Sequence, residues 1–344
     1  MKARIPCFFP MIALLLLAPS PAPCTHGDSL KSPGLDLLNR MVREIVRSAD
    51  GTFGVAAEHL ESGAGFSVNG DELFPMASVF KLPILTEVMS EIREGKFGLA
   101  DAWEVKPSDQ FYVGSLLSDL KAPGVRLSVE NLINLMMWQS DNTATDLLLT
   151  RVGIAAVNAR LRSFGIDKIT VGRTVREILL DYYVGESTPY LKMSPGEFKA
   201  VYSKILAENP GAAEKAGRRF GLNPLDHASP LAVNALLGKI FRKEIIDAAA
   251  CEHILKVMAG CQTGLKRIRG LLPPDTVVAH KTGTIGGTLN DCGIIELPGG
   301  LGHVALSVLS KDADPDHAED VIALIAKSIY DYFCFGSPTR SPRP

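Results

Sequence analysis

Strand patterns occur near both ends of this 344-residue chain, and helical patterns fill the middle. Thr52–Leu60 and Gly65–Asn69 are predicted as the strands of a hairpin, because a glycine-containing turn cluster separates them. Three more strands are predicted at Thr276–Thr284, Asn290–Leu297 and Leu301–Leu309, the last two joined by a Pro-Gly-Gly turn. Strands from both ends can share one antiparallel sheet, which leaves the middle of the chain to form a separate helical lobe.

Both termini also carry helical patterns. Leu35–Val46 repeats apolar residues at helical spacing, and a closing helix is predicted from about Ala318 to Phe333. In the middle, Gly153 and Gly165 stand where helices would end. The predicted fold class is α/β (α+β): an antiparallel sheet flanked by terminal helices, plus an all-helical lobe. A ligand site is expected in the cleft between the two.

Residues 1–24 are predicted to be an export signal. Lys2 and Arg4 precede the uncharged apolar run Phe8–Ala18, and small and proline residues follow it. The run is too short to span a bilayer, and no other stretch predicts a transmembrane span in the mature chain. The protein is therefore expected in the periplasm or outside the cell, with a lipid anchor at Cys24 as the alternative.

Composition narrows the classes of partner. Hydrophobic residues make up 46% and charged residues 22% of the chain, and the formal net charge is -2. This balance is typical of a globular protein and gives no electrostatic reason to expect nucleic acid. The six cysteines have no metal-site spacing, so no metal and no cofactor are predicted. Buried free thiols are favoured over disulfides, and a monomer is expected.

The first chemical motif is Ser-x-x-Lys at Ser78 and Lys81, at the start of an apolar helix. Residues three apart share a helix face, so the Lys81 amine is predicted beside the Ser78 hydroxyl. A desolvated amine can act as a base, and a helix N-terminus offers N–H groups to a developing oxyanion. A plain helix start is the alternative interpretation of this motif alone.

Two further motifs follow. Ser-Asp-Asn at Ser140–Asn142 lies between two apolar helical patterns, where a helix N-cap is the simpler interpretation. Lys-Thr-Gly-Thr at Lys281–Thr284 ends a strand pattern. Lysine and threonine can hold a carboxylate, and glycine lets a ligand approach the backbone closely. The alternative is a strand edge with a solvated lysine.

The three motifs in this order are typical of penicillin-recognising serine enzymes. From about Leu35 to Phe333 the chain resembles class A serine β-lactamases and, more distantly, D-alanyl-D-alanine peptidases. The resemblance implies a catalytic domain over residues 35–335, with an α/β lobe (35–80 and 225–335) and a helical lobe (81–224). Residues 336–344, which are rich in proline, serine and arginine, are predicted to form a frayed tail.

The resemblance also implies roles for individual residues. Ser78 would be the nucleophile, with Lys81, or Glu177 through a water, as its base. Ser140 would pass a proton to the leaving nitrogen, and the backbone N–H groups of Ser78 and Thr284 would form the oxyanion hole. Asn142 would hold the substrate amide. The substrate-binding residues on the carboxylate side would be Lys281, Thr282, Gly283, Thr284 and Arg267.

The segment Glu177–Asp181 matches the family's Glu-x-x-Leu-Asn element except at its last residue. By resemblance, Glu177 would be the general base that activates the deacylating water; a surface glutamate is the alternative. The family's Arg–Asp ion pair would use Arg173 or Arg176. An insertion at about 182–224, with helical patterns at Ser194–Leu206 and Pro210–Phe220, either narrows or covers the site, or is a peripheral helical addition.

The sequence therefore predicts an exported serine β-lactamase with a small-molecule β-lactam as substrate. Such an enzyme would contribute to antibiotic resistance. Two alternatives remain at this point. One is a D-alanyl-D-alanine peptidase or another Ser-Lys peptide or ester hydrolase. The other is a penicillin-binding sensor that is acylated without turnover.

Overall fold

A computed structural model of the chain describes residues 33–110, 114–120, 123–185, 193, 195–208 and 211–336. The predicted export signal, Cys24 and the tail beyond Gly336 lie outside these residues. The α-helices of the described residues are α1 (Pro33–Ser48), α2 (Lys81–Arg93), α3 (Val129–Trp138), α4 (Asn142–Val152), α5 (Ile154–Ser163), α6 (Val175–Val184), α7 (Pro195–Glu208), α8 (Ala212–Leu222), α9 (Pro230–Phe241), α10 (Ala248–Ala259) and α11 (Pro315–Asp331).

The β-strands of the same residues are β1 (Thr52–His59), β2 (Gly65–Val68), β3 (Phe74–Pro75), β4 (Ala102–Val105), β5 (Val125–Ser128), β6 (His227–Ala228), β7 (Val278–Ile285), β8 (Thr288–Glu296) and β9 (His303–Lys311). A five-stranded antiparallel sheet has the order β2-β1-β9-β8-β7. This confirms the predicted sheet shared by both chain ends. Strand β7 begins later than predicted because the Thr276 N–H donates to the Pro273 carbonyl in a turn.

The sheet is buried on both faces. Along β9, Val304, Leu306 and Val308 belong to the apolar cluster that includes α1 and α11. The alternate residues Ala305 and Leu309 belong to the cluster of the helical side, because successive strand residues point to opposite faces. The predicted packing of the terminal helices on the sheet is therefore confirmed.

Helix α2 is the centre of the helical side. Every residue from Lys81 to Glu91 is buried, and α4, α5 and α10 surround it. A 3₁₀ turn, Ala77–Phe80, leads into the helix. Ala77 has φ +44°, a conformation that costs a non-glycine residue energy and is found at functional sites.

The insertion contains two helices, α7 and α8, as the sequence predicts, although their junction at residues 209–210 lies outside the described residues. Among the described helices, none combines the length and the apolar character needed to cross a membrane. The cysteines 251, 261, 292 and 334 are buried free thiols, which confirms the interpretation favoured by their spacing.

Candidate active site

A cleft of about 470 Å³ lies where the 3₁₀ turn before α2, the start of α4, helices α6 and α8, and the end of β7 meet. The structure brings most of the predicted site residues to this cleft. Its lining includes Ser78, Ser140, Asn142, Arg267, Thr282 and Thr284. Lys81 and Lys281 lie fully buried beneath that surface.

Ser78 lies in the 3₁₀ turn, partly exposed to the cleft. Within the described residues its hydroxyl makes no hydrogen bond, so it is available to a ligand. The amide of Asn290 fixes the preceding segment by donating to the carbonyls of Pro75 (2.8 Å) and Met76 (2.9 Å). A Cβ on Gly283 would lie 2.5 Å from the Met76 carbonyl oxygen and 3.1 Å from the Ser78 nitrogen. Only glycine lets β7 approach the turn this closely.

The Lys81 amine is completely enclosed by site residues. Its Nζ donates to the Ser140 carbonyl (2.6 Å) and to the Asn142 Oδ1 (2.8 Å), and it lies 3.0 Å from the Ser140 Oγ, which is within hydrogen-bond distance. Burial, and secondly the positive charge of Lys281, hold the pKa of Lys81 well below its usual value. Both effects disfavour the charged form, so this amine loses its proton more readily than an ordinary lysine does.

Ser140 connects the two buried lysines. It has φ +57°, and its Oγ also accepts a hydrogen bond from the Lys281 Nζ at 3.1 Å. Burial lowers the pKa of Lys281 to about 8. A hydroxyl held between two amines can accept a proton from one side and donate one to the other. The geometry therefore suits Ser140 to proton transfer.

Asp141 has a structural role. It is the N-cap of α4, as the simpler interpretation of the motif predicts: its Oδ1 accepts from the Ala144 N–H at 2.8 Å. The Ser115 hydroxyl donates to both oxygens of the same carboxylate (2.9 and 3.0 Å). The adjacent Asn142 donates its N–H to the Gly114 carbonyl. Asp141 thus fixes its two neighbours, Ser140 and Asn142, relative to the segment that faces them.

Arg267 is 6% exposed and lies behind β7. Its Nη1 donates to the carbonyls of Gly283 and Asn290 (3.0 Å each), and its Nη2 donates to the Thr284 Oγ1 at 2.7 Å. Glu319 accepts from Nε at 3.0 Å. The guanidinium therefore places positive charge directly behind a cleft hydroxyl, a suitable arrangement for binding a carboxylate.

Glu177 is not brought to the cleft. Its Oε2 accepts hydrogen bonds from the Thr174 N–H (2.8 Å) and the Thr174 Oγ1 (2.9 Å), which makes a capping box at the start of α6. The α6 residues that line the cleft are Leu179, Tyr182 and Tyr183. Leu179 is two residues from Glu177, or about 200° around the helix. The Glu177 carboxylate is thus engaged with Thr174 and is absent from the described lining of the cleft.

The Arg–Asp ion pair that the resemblance implies is formed by Arg173. Its Nη1 contacts Asp181 (2.6 Å) and its Nε contacts the buried Asp226 (2.8 Å). Asp181, which replaces the family's asparagine, is therefore a partner of Arg173. Arg176 instead donates to the backbone carbonyls of Ser108 and Met193.

Sequence reasoning missed Asp146. Burial raises its pKa to about 6, even though its carboxylate accepts from the Val175 N–H (2.7 Å) and the Arg176 N–H (2.9 Å). It therefore anchors α6 to α4. Its position four residues after Asn142, on the same face of α4, was the available signal.

A second missed group lies behind Lys281. The buried His280 contacts Asp291 through its Nδ1 at 2.8 Å. Burial alone would lower the pKa of His280, but Asp291 and the thiol of Cys261 raise it to about 10. The neighbouring His280 correspondingly lowers the pKa of Cys261 to about 7, against the opposing effect of burial. In the sequence His280 is a histidine in a strand pattern and Cys261 is an isolated cysteine, so their contact could not be predicted.

The insertion is part of the cleft. Ala212 and Ala216, four residues apart on α8, line it opposite Ile285. Of the two interpretations left open by the sequence, a wall beside the site is therefore the one the structure supports. Nothing in the sequence pattern indicated which face of α8 would be turned to the cleft.

A partly exposed serine over two buried lysines, at the edge of an antiparallel sheet, is the arrangement of a Ser-Lys hydrolase. The model of the β-lactamase enzyme family matches residues 37–333. The chain belongs to this family and, within it, to the class A serine β-lactamases, which are serine hydrolases.

Named relatives support the same assignment. Beta-lactamase VEB-1 of Pseudomonas aeruginosa is 26% identical over 308 residues, which cover 87% of this chain and 91% of the relative. The carbapenem-hydrolyzing beta-lactamase KPC of Klebsiella oxytoca is 28% identical and covers 80% and 82%. The crystal structure of TLA-1 extended-spectrum beta-lactamase is 27% identical, with a TM-score of 0.70 over 87% of this chain and 99% of that one.

Proposed function

We propose that this chain is an exported enzyme that hydrolyses β-lactams through an acyl-enzyme on Ser78. One observation carries the proposal: an unpaired serine hydroxyl faces a cleft above two buried lysines that share the Ser140 hydroxyl. The basic and apolar pattern of residues 1–24 supports export. The names of the relatives support the lactam substrate.

In acylation the neutral Lys81 amine accepts the Ser78 proton, and Ser78 Oγ attacks the lactam carbonyl carbon. The backbone N–H groups of Ser78 and Thr284 are the proposed donors to the oxyanion. The C–N bond then breaks, and Ser140 donates its proton to the departing nitrogen. Lys81 returns a proton to Ser140 and is neutral again.

The same proposal assigns substrate binding. Asn142 holds the amide of the substrate, and Lys281, Thr282, Gly283 and Thr284 receive its carboxylate along β7. Support comes from the position of Arg267 behind Thr284 and from the Thr263 hydroxyl, which lies 2.5 Å from the Thr282 hydroxyl. These hydroxyls form a polar row at the cleft surface.

The deacylation base is the point where geometry and resemblance differ. Glu177, the base implied by resemblance, is engaged in its capping box. For it to act, the carboxylate must leave Thr174. Lys81 is buried beneath the cleft and contacts the Ser140 hydroxyl. As a neutral amine it can take the proton of the hydrolytic water through Ser140. We therefore propose Lys81 for both half-reactions.

Glu177→Gln is expected to change kcat for a penicillin by less than about tenfold, because glutamine retains the capping box. Loss of a true general base costs about 10²- to 10⁴-fold. The measurement is kcat together with the intact mass of the quenched protein, and Thr174→Ala serves as a control that disrupts the cap alone. Accumulation of acyl-enzyme in Glu177→Gln, but not in Thr174→Ala, would restore Glu177 as the base.

Arg267→Lys is expected to raise KM by about tenfold or more with a smaller change in kcat, because lysine cannot form the planar fork that reaches Thr284. Steady-state kinetics on one penicillin measure both constants. The matched control is Arg269→Lys, two residues away along the chain and absent from the cleft lining. An equal rise in KM in both variants would mean that Arg267 has no specific role in substrate binding.

The whole proposal is tested by adding the purified mature protein to a chromogenic cephalosporin and to a penicillin. Sustained hydrolysis of at least one is expected. A stable Ser78 adduct without turnover would instead indicate a penicillin-binding sensor. Cleavage of D-alanyl-D-alanine peptides without lactam hydrolysis would indicate the peptidase.

A further inference from the structure

A completely buried histidine, His280, precedes Lys281 on β7. Its Nδ1 lies 2.8 Å from the Asp291 Oδ1 on the neighbouring strand β8. Its Nε2 is buried as well, and no oxygen or nitrogen of the described residues is hydrogen-bonded to it. A buried polar atom without a partner costs free energy, so another kind of group is expected to satisfy Nε2.

The thiol of Cys261 is that group. Cys261 lies just after α10, is 2% exposed, and interacts with the His280 ring. The proton between sulfur and Nε2 belongs on nitrogen, because the Asp291 carboxylate at Nδ1 stabilises the positively charged ring. Burial raises the pKa of Cys261, but the contact with His280 lowers it to about 7. The pair is therefore a thiolate and an imidazolium.

The same sulfur is connected to the polar end of the cleft. The Cys261 Sγ lies 3.4 Å from the Thr263 Oγ1, which in turn lies 2.5 Å from the Thr282 Oγ1. Both threonines line the cleft. A chain of polar contacts thus runs from Asp291 through His280 and Cys261 to the hydroxyls assigned above to the substrate carboxylate.

Cys261 also acts on the charge of Lys281. Burial lowers the pKa of Lys281 to about 8, and the positive charge of Arg267 acts in the same direction. The negative charges of Cys261 and Asp291 oppose these two effects, and that of Cys261 is the larger. Loss of the thiolate would therefore favour the neutral form of Lys281.

Two further titratable groups face Lys281, and neither supplies a negative charge. Burial raises the pKa of Cys292, so this residue stays a neutral thiol. Lys81, which shares the Ser140 hydroxyl with Lys281, can carry only a positive charge. Among the described neighbours, Cys261 is thus a source of negative charge that these groups cannot replace.

We propose that Cys261 is a positioning residue for the reaction: as a thiolate paired with the His280 imidazolium, it keeps Lys281 charged to receive the substrate carboxylate. This inference rests on the proposed function, since that function assigns the carboxylate to Lys281. Cys261 acts through Lys281 and is absent from the described lining of the cleft.

Two substitutions separate the charge of Cys261 from its size. Cys261→Ser keeps a small polar side chain but stays neutral. The alkaline limb of kcat/KM for benzylpenicillin is then expected to move from about pH 8 to about pH 7, the usual effect of losing one nearby charge. At about pH 8 this raises KM about fivefold, because the charged fraction of Lys281 falls from about a half to about a tenth, with a smaller change in kcat. Cys261→Asp supplies a permanent negative charge and is expected to restore the limb.

Cys251→Ser is the matched control. Cys251 is also a buried free thiol, it contacts the Ile245 carbonyl, and it is absent from the cleft lining. This variant is expected to keep the profile of the unmodified protein.

A second readout needs no substrate. The ultraviolet absorbance of a thiolate, measured as the unmodified protein minus Cys261→Ser, is expected to rise with a midpoint near pH 7. If Cys261→Ser does not fold, the titration of the unmodified protein still carries the test, because burial raises the pKa of both Cys251 and Cys292.

An alkaline limb that does not move in Cys261→Ser would overturn the inference. So would the same shift in Cys261→Asp, because size rather than charge would then matter, or a thiolate that appears only above the ordinary cysteine pKa of about 8.5. Failure of the proposed function gives a different result: benzylpenicillin is neither hydrolysed nor attached to Ser78, and the absorbance titration alone decides whether the thiolate exists.

Discussion

Ser78→Ala is expected to abolish β-lactam hydrolysis, with a loss in kcat on the order of 10⁶-fold, as for other serine hydrolases that lose their nucleophile. The Ser78 hydroxyl faces the cleft, and Lys81 and Ser140 lie in the same site. Without the hydroxyl, no covalent bond to the lactam carbonyl can form, although the cleft keeps its shape. Hydrolysis rates and the intact mass after exposure to penicillin measure the effect.

The control for this variant is Ser328→Ala, on α11 and outside the cleft lining. It is expected to behave as the unmodified protein in both measurements. If Ser78→Ala still acquires the mass of one penicillin, another residue is the nucleophile. If it retains turnover without an adduct, the acyl-enzyme mechanism is wrong.

The second large effect concerns Lys81 and pH. Lys81→Ala is expected to lower kcat/KM by about 10²- to 10⁴-fold, the usual contribution of a general base. In the proposed mechanism the neutral amine is the active form, so activity should rise as pH increases through the lowered pKa of Lys81. In the same mechanism Lys281 binds the carboxylate only when charged, so activity should fall as pH rises through its pKa of about 8.

The measurement is kcat/KM of the unmodified enzyme from about pH 5 to about pH 10. A bell-shaped profile with its alkaline limb near pH 8 is expected. In Lys81→Ala the residual activity should lose the acidic limb and keep the alkaline one. A profile that still rises at about pH 10 would mean that Lys81 has an ordinary pKa and that Lys281 is not needed in its charged form.

The sheet and the motif residues of the cleft could be predicted from the sequence because local patterns define them. Strand alternation and the Pro-Gly-Gly turn specify β7, β8 and β9. Once the fold is assigned by resemblance, the positions of the motif residues Ser78, Lys81 and Ser140 in three dimensions follow from it. In the structure Ser78 and Ser140 line the same cleft, and Lys81 contacts Ser140.

Glu177 shows where that reasoning stops. A motif gives the position of a residue along the chain, but the direction of its side chain depends on where the helix begins. Thr174 and Glu177 form the pattern of a capping box, Thr-x-x-Glu, which was readable in the sequence and fixes the start of α6. Given that start, Leu179 is directed to the cleft and Glu177 is not.

The wall formed by α8 could not be predicted for a different reason. Its helical pattern was clear, but its position depends on tertiary contacts. Arg219 meets backbone carbonyls of α6, and the glycines 217, 286 and 287 permit close approach. Backbone partners carry no sequence signal, so the docking of such a helix becomes visible only in three dimensions.

The central claim is hydrolysis through an acyl-enzyme on Ser78, and quenched-flow mass spectrometry during turnover of benzylpenicillin tests it most directly. We expect that the protein carries the mass of one penicillin while substrate remains, that the label maps to the peptide containing Ser78, and that it disappears when substrate is exhausted. Steady hydrolysis with no label at any time, or a label on another residue, would contradict it.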